Sequence, residues 1–131
     1  MQQAPYYAPN LALGEIIALN NATTNVQSQP ISNNFFRGVT LFVNLTVLGG
    51  TSPTITVSIM GYDPVSQQSV TLLESAALAA TGTTMLQVYP GASETANLSA
   101  NAALPQMWWV KTVLGGTTPS VTGSISGNYQ V

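Results

Sequence analysis

The chain contains no cysteine and no histidine. The first absence excludes disulfides, a thiolate nucleophile and sulfur-ligated metal, and leaves the redox compartment unmarked. The second removes the commonest general base and the commonest transition-metal ligand. Charge is scarce as well: 5% of residues are charged, against about 25% in an average soluble domain. Glu15, Arg37, Asp63, Glu74, Glu94 and Lys111 are the whole set, for a net charge of -2. This balance offers no electrostatic footprint for nucleic acid or for an anionic membrane surface. No apolar run reaches the roughly 18 residues of a membrane span, and the longest aliphatic stretch, Leu72 to Ala80, is broken by Glu74 and Ser75. Residues 1–10 have neither the basic region nor the apolar core of a secretory leader. The expectation is a protein made and assembled in a cytoplasm.

Catalysis has little to draw on. The four carboxylates are dispersed, and nothing in their spacing calls for a pair such as Asp63 and Glu94 to meet. A calcium site needs clustered oxygen ligands, and the turn at Asp63 carries one carboxylate. Gly49-Gly50 and Gly115-Gly116 lack the lysine and the strand-to-helix setting of a phosphate loop. The Asn-X-Ser/Thr triplets at Asn21, Asn44 and Asn97 are expected by chance in so Asn-, Thr- and Ser-rich a chain. The sequence therefore predicts no catalytic residue, no cofactor and no metal.

What is present is β-pattern. With 131 residues and 45% hydrophobic content, the chain suits one domain around one core. Residues 1–10, with Pro5, Pro9 and the pair Tyr6-Tyr7, read as an extended arm, and residues 11–131 as the domain. Leu11 to Leu19 fits a short helix or a strand, and the β-rich remainder favours a strand. Residues 20–34 read as loop with at most a short edge strand. Val39, Leu41, Val43, Leu45 and Val47 then alternate with Thr40, Phe42, Asn44 and Thr46, the period of a strand. Ile55, Val57 and Ile59 also recur at every second position, so residues 48–53 read as the turn of a hairpin. Ser69 to Leu73 and Thr83 to Tyr89 are further strands, the latter with Leu86 and Val88 inward. Residues 74–82 have helix propensity but too little length, and read as a turn or a small helical excursion between strands. Residues 92–105 read as a connection crossing between sheets. Gln106 to Leu114 and Ser120 to Tyr129 complete the series, with a turn at 115–119. Val47 to Ile59 is echoed by Val113 to Ile125, which suggests two equivalent hairpins. Seven or eight short strands predict an all-β, single-domain β-sandwich of jelly-roll type; an up-and-down barrel is the second choice.

Adjacent strand residues face opposite ways, so Trp108-Trp109 cannot both be core. Trp108 is in phase with Val110 and Leu114 and is the inward one. Trp109, in phase with Met107 and Lys111, faces out, in a surface cluster, a protein interface or under a sugar ring. A surface rich in Thr, Ser, Asn and Gln but poor in charge suits a subunit whose outside is covered by neighbours better than a free monomer.

Phe36-Arg37-Gly38-Val39, Asp63-Pro64-Val65-Ser66, Val88-Tyr89-Pro90-Gly91 and Leu104 to Lys111 are ordered and spaced as in small all-β structural proteins of tailed bacteriophages, which the chain resembles over about residues 36–128. The nearest description is a capsid decoration, or cement, protein. The resemblance implies a subunit on the outer capsid surface of the virion that bridges major capsid proteins, commonly as a homotrimer, without catalytic residues or cofactors. Candidate assembly contacts are Tyr6, Tyr7 and Trp109. The alternatives are another virion part, such as a head-fibre base or a tail or neck component, and a carbohydrate-binding module.

Overall fold

The computed structural model describes residues 10–34 and 36–130. It has seven strands: β1 (Asn10–Ala22), β2 (Ile31–Ser32), β3 (Gly38–Asp63), β4 (Gln68–Glu74), β5 (Gly82–Tyr89), β6 (Ser99–Asn101) and β7 (Met107–Gln130). No helix occurs among the described residues, and 75–81 is irregular chain. All strands belong to a single sheet of mixed strand order. The extended arm expected at 1–10 lies outside the described residues except for Asn10, which opens β1 by pairing with Gln130.

Two strands dominate. β3 has 26 residues and β7 has 24, and they pair antiparallel from Gly38↔Gln130 to Gly61↔Trp108. A straight ribbon of that length would be roughly 75 Å long at about 3.3 Å per residue. Yet Trp108, at one end of the ladder, lies edge-on to Tyr129, at the other, with ring centroids 6.0 Å apart. The ribbon is therefore doubled back on itself, apolar side inward. Val39, Leu41, Val43 and Leu45 from one half of β3 share one core cluster with Ile55, Val57 and Ile59 from the other half.

The crease corrects the hairpin reading. Residues 48–53 and 115–119 do not close hairpins whose two arms pair with each other; they lie within β3 and β7 and face one another across the ladder, through Gly49↔Ser120, Thr51↔Thr117 and Thr54↔Gly115. The sequence echo is a symmetry of this crossing. Leu48↔Val121 is matched by Ile55↔Leu114, and Val47↔Thr122 by Thr56↔Val113. The backbones match too, with φ of 105° at Gly50 and 97° at Gly116, and 49° at Ser52 and 45° at Thr118. A Cβ on Gly50 would stand 2.5 Å from the Thr118 carbonyl oxygen, and one on Gly116 2.4 Å from that of Ser52. Only glycine permits this approach of two backbones.

The crease gives the sheet two leaves. In the upper leaf the order is β1, the C-terminal half of β7, the N-terminal half of β3, β5 and β6; in the lower leaf β2, the other half of β7, the other half of β3, and β4. The local symmetry thus extends outward, relating β1 beside β7 to β4 beside β3. Residues 20–34 are more ordered than expected: β1 runs to Ala22, Gln27 bridges to Lys111, and Thr112 Oγ1 donates to the Val26 carbonyl at 2.6 Å. The crossing at 92–105 contains β6, which runs parallel to β5.

The far end is closed by an aromatic stack. Trp108 Nε1 donates to Tyr129 Oη at 3.2 Å, Tyr129 Oη donates to the Ser32 carbonyl at 3.2 Å, and Phe36 stacks on Tyr129 at 4.6 Å. Asn33 is buried but satisfied: its Nδ2 donates to the Phe36 and Leu104 carbonyls, and its Oδ1 accepts from the Phe36 N–H.

Candidate docking surface around Trp109

The strand alternation that buries Trp108 completely turns Trp109 to the outer face of the lower leaf. There it pairs across the ladder with Met60, whose sulfur accepts from Thr71 Oγ1 at 3.6 Å. Trp109 is half-buried, and Met107 beside it is 40% exposed. Tyr62 stands two residues past Met60 on the same face. Its ring centroid lies 6.4 Å from that of Trp109, with the planes 52° apart, an open V rather than a stack.

Two depressions meet at this V. One, of about 350 Å³, is lined by Gln27, Ser28, Pro30, Tyr62, Met107 and Trp109. The second, of about 330 Å³, is lined by Ser32, Tyr62, Pro64, Pro105, Gln106 and Met107. They share Tyr62 and Met107 and so form one groove, with Pro30, Pro64 and Pro105 along it. Prolines fix φ and remove a donor, so these walls lose little freedom when covered. Among the described residues no charged side chain lines either depression.

Beside the groove, the turn from β3 to β4 is built by Asp63. Its carboxylate accepts from Ser66 Oγ at 2.7 Å and from the Val65 N–H at 3.0 Å, and its carbonyl from the Gln67 N–H at 2.7 Å. The Ser66 hydrogen bond, then that of Val65, holds the Asp63 acid below the ordinary aspartate pKa. This capped turn presents Val65 at its tip, 91% exposed. An apolar tip beside an aromatic groove is a surface shaped for contact.

Of the three contact candidates named from the sequence, Trp109 is the one within the described residues; Tyr6 and Tyr7 lie outside them. Tyr62 is not among those candidates, although the sequence carries its signal. With Ile55, Val57 and Ile59 inward, the same alternation puts Met60 and Tyr62 on the face of Trp109, where Met60 is itself covered. The surface can hold an uncharged partner through apolar and stacking contacts and the amides of Gln27 and Gln106. Asp63 is spent on its own turn, while Glu94 Oε2 accepts from the Asn101 N–H at 3.4 Å. Among the described residues no three His, Cys, Asp or Glu side chains gather as metal ligands. No protein-family model, curated protein or solved structure matches the chain.

Proposed function

We propose that this is a non-enzymatic structural subunit of a tailed-phage virion, a decoration (cement) protein seated on the outer face of the capsid lattice. The doubled sheet is then a β-sandwich of jelly-roll type, and the working form is a homo-oligomer, with a trimer favoured. The observation that carries this reading is the uncharged groove of Trp109, Tyr62 and Met107 on a sheet face, in a chain with six charges. Such a face is unsuited to nucleic acid or an anionic membrane, and suited to an apolar protein surface with Trp and Tyr as anchors. The sequence resemblance to phage structural proteins points the same way. A subunit that binds only the assembled lattice stabilises it by linkage, about 2.7 kcal/mol per site at a hundredfold excess over Kd. The partner is the major capsid protein.

The experiment mixes the protein with undecorated capsids and measures occupancy and heat resistance. Wild type should bind and raise the temperature of capsid disruption. Trp109→Ala should bind at least about tenfold more weakly, the loss expected of an anchor. No binding by the wild type would reject the reading. The open V of Trp109 and Tyr62, with the Gln27 amide beside it, favours one second reading, a neutral-glycan site. That reading requires saturable glycan binding lost in Tyr62→Ala, with no affinity for capsids.

A further inference from the structure

The near-symmetry of the fold makes its two flanks comparable, and they differ. On the flank of β4 and β5, the chain's own segment 92–104 closes the gap between the leaves. β6 lies along β5, the Gln87 N–H donates to the Leu98 carbonyl, and Asn97 Nδ2 reaches the Glu74 carbonyl at 3.0 Å. The flank of β1 and β2 has no such cover among the described residues. It holds a groove of about 300 Å³ lined by Leu13, Glu15, Ile16, Gln29, Pro30 and Ile31, and reaching Ser28.

β1 is built to open this groove. The ladder with β7 steps from Ala12↔Asn128 to Gly14↔Gly127 and from Glu15↔Ser126 to Ile17↔Ile125, so Leu13 and Ile16 are the unpaired residues of two bulges. A bulge re-aims its extra side chain. Here both extra residues are apolar, and both line the groove while packing against the core edge.

We propose that this flank receives residues 1–9 of a neighbouring copy, and that this exchange builds the oligomer. The inference rests on the homo-oligomer of the proposed function and names its interface. On the other flank a segment of the chain, turned at 95–98 and paired through β6, does this work, and Gln2 to Pro9 is an uncharged segment with Tyr6 and Tyr7 for apolar area. Glu15 is the only charged group among the residues lining the groove; a tyrosine hydroxyl can donate to it, and residues 1–9 carry no acidic side chain to oppose it. Nine residues reach at most roughly 30 Å. In the same copy the groove at Leu13 and Ile16 lies further along β1 than Asn10, which is already held by Gln130. A neighbour's segment enters without reversal. Each copy then gives one segment and takes one, which in a trimer is a heterologous contact passed round a closed ring.

The absence of native cysteine makes the test clean. Tyr7→Cys protein is mixed with Gln29→Cys protein and oxidised. A disulfide joining position 7 of one chain to position 29 of another, at a yield at least about tenfold above either variant alone, is expected. Deleting residues 1–9, which leaves every described residue in place, should turn the oligomer into a monomer by sedimentation with its thermal transition kept. Absence of the bridge, an oligomer that survives the deletion, or an intrachain bridge dominating in the dilute double variant would each overturn the proposal. If bridge and oligomer form but no capsid is bound, the interface stands and the cement reading falls.

Discussion

Alanine at Gly50 tests the crease on which the doubled ribbon depends. Two costs are expected. The first is conformational: at a φ of 105° a residue with a Cβ is strained by about 1–2 kcal/mol. The second is steric, because the new Cβ would stand 2.5 Å from the Thr118 carbonyl oxygen and 2.9 Å from that of Thr117. Both are backbone atoms of the paired strand, so relief requires the ribbon itself to open. Overpacking of this kind costs about 1–3 kcal/mol, for a sum of roughly 2–5 kcal/mol. Gly91→Ala supplies the control, since Gly91 has a φ of 88° with nothing within 4 Å of its Cβ position. It should show the conformational part alone. Gly116→Ala, the symmetric counterpart, should match Gly50→Ala, and the double variant should lose less than the sum because one opening relieves both. Urea unfolding at constant m measures all four variants. A Gly50→Ala no worse than Gly91→Ala would refute the close backbone approach and the crease drawn from it.

The remaining predictions concern the closed end and the turn beside the groove. Trp108→Ala should cost about 3–5 kcal/mol, since it empties a fully buried site and leaves Tyr129 Oη without its donor, whereas Trp109→Ala should change stability by under about 1 kcal/mol; equal large losses in urea unfolding would show the strand phase to be wrong. Because the folded Asp63 acid lies below its ordinary pKa, its contribution is fully present above the ordinary value and is lost as pH falls through the lowered one. Asp63→Asn should therefore flatten the acid limb of a stability–pH curve; an unaltered acid limb would contradict the turn's hydrogen bonding.

Much of the fold is legible in the alternation of residues. Val39 to Val47 and Ile55 to Ile59 announce strands with one buried face, and the same period separates Trp108 from Trp109. The crease is not legible, for a physical reason. Gly-Gly-Thr-Ser-Pro and Gly-Gly-Thr-Thr-Pro supply positive φ and a fixed proline, which a reversing hairpin and a bending strand both use. What separates the two is the partner across the ladder, and here each segment pairs with the other. The echo between Val47–Ile59 and Val113–Ile125 is visible in the residues; that the copies face one another is not. The bulges at Leu13 and Ile16 are equally silent, because they are defined by register against β7. Tyr62 is a different case, since extending the alternation of β3 by three residues finds it.

Quantitative mass spectrometry of purified particles, made from the genome that encodes this chain, decides whether the protein is a decoration subunit of the virion. The protein is expected in mature particles at a fixed ratio to the major capsid protein, recovered with full heads and released ahead of the lattice on mild denaturation. Particles that are complete and infectious with no copies of it would show that it is not a virion subunit.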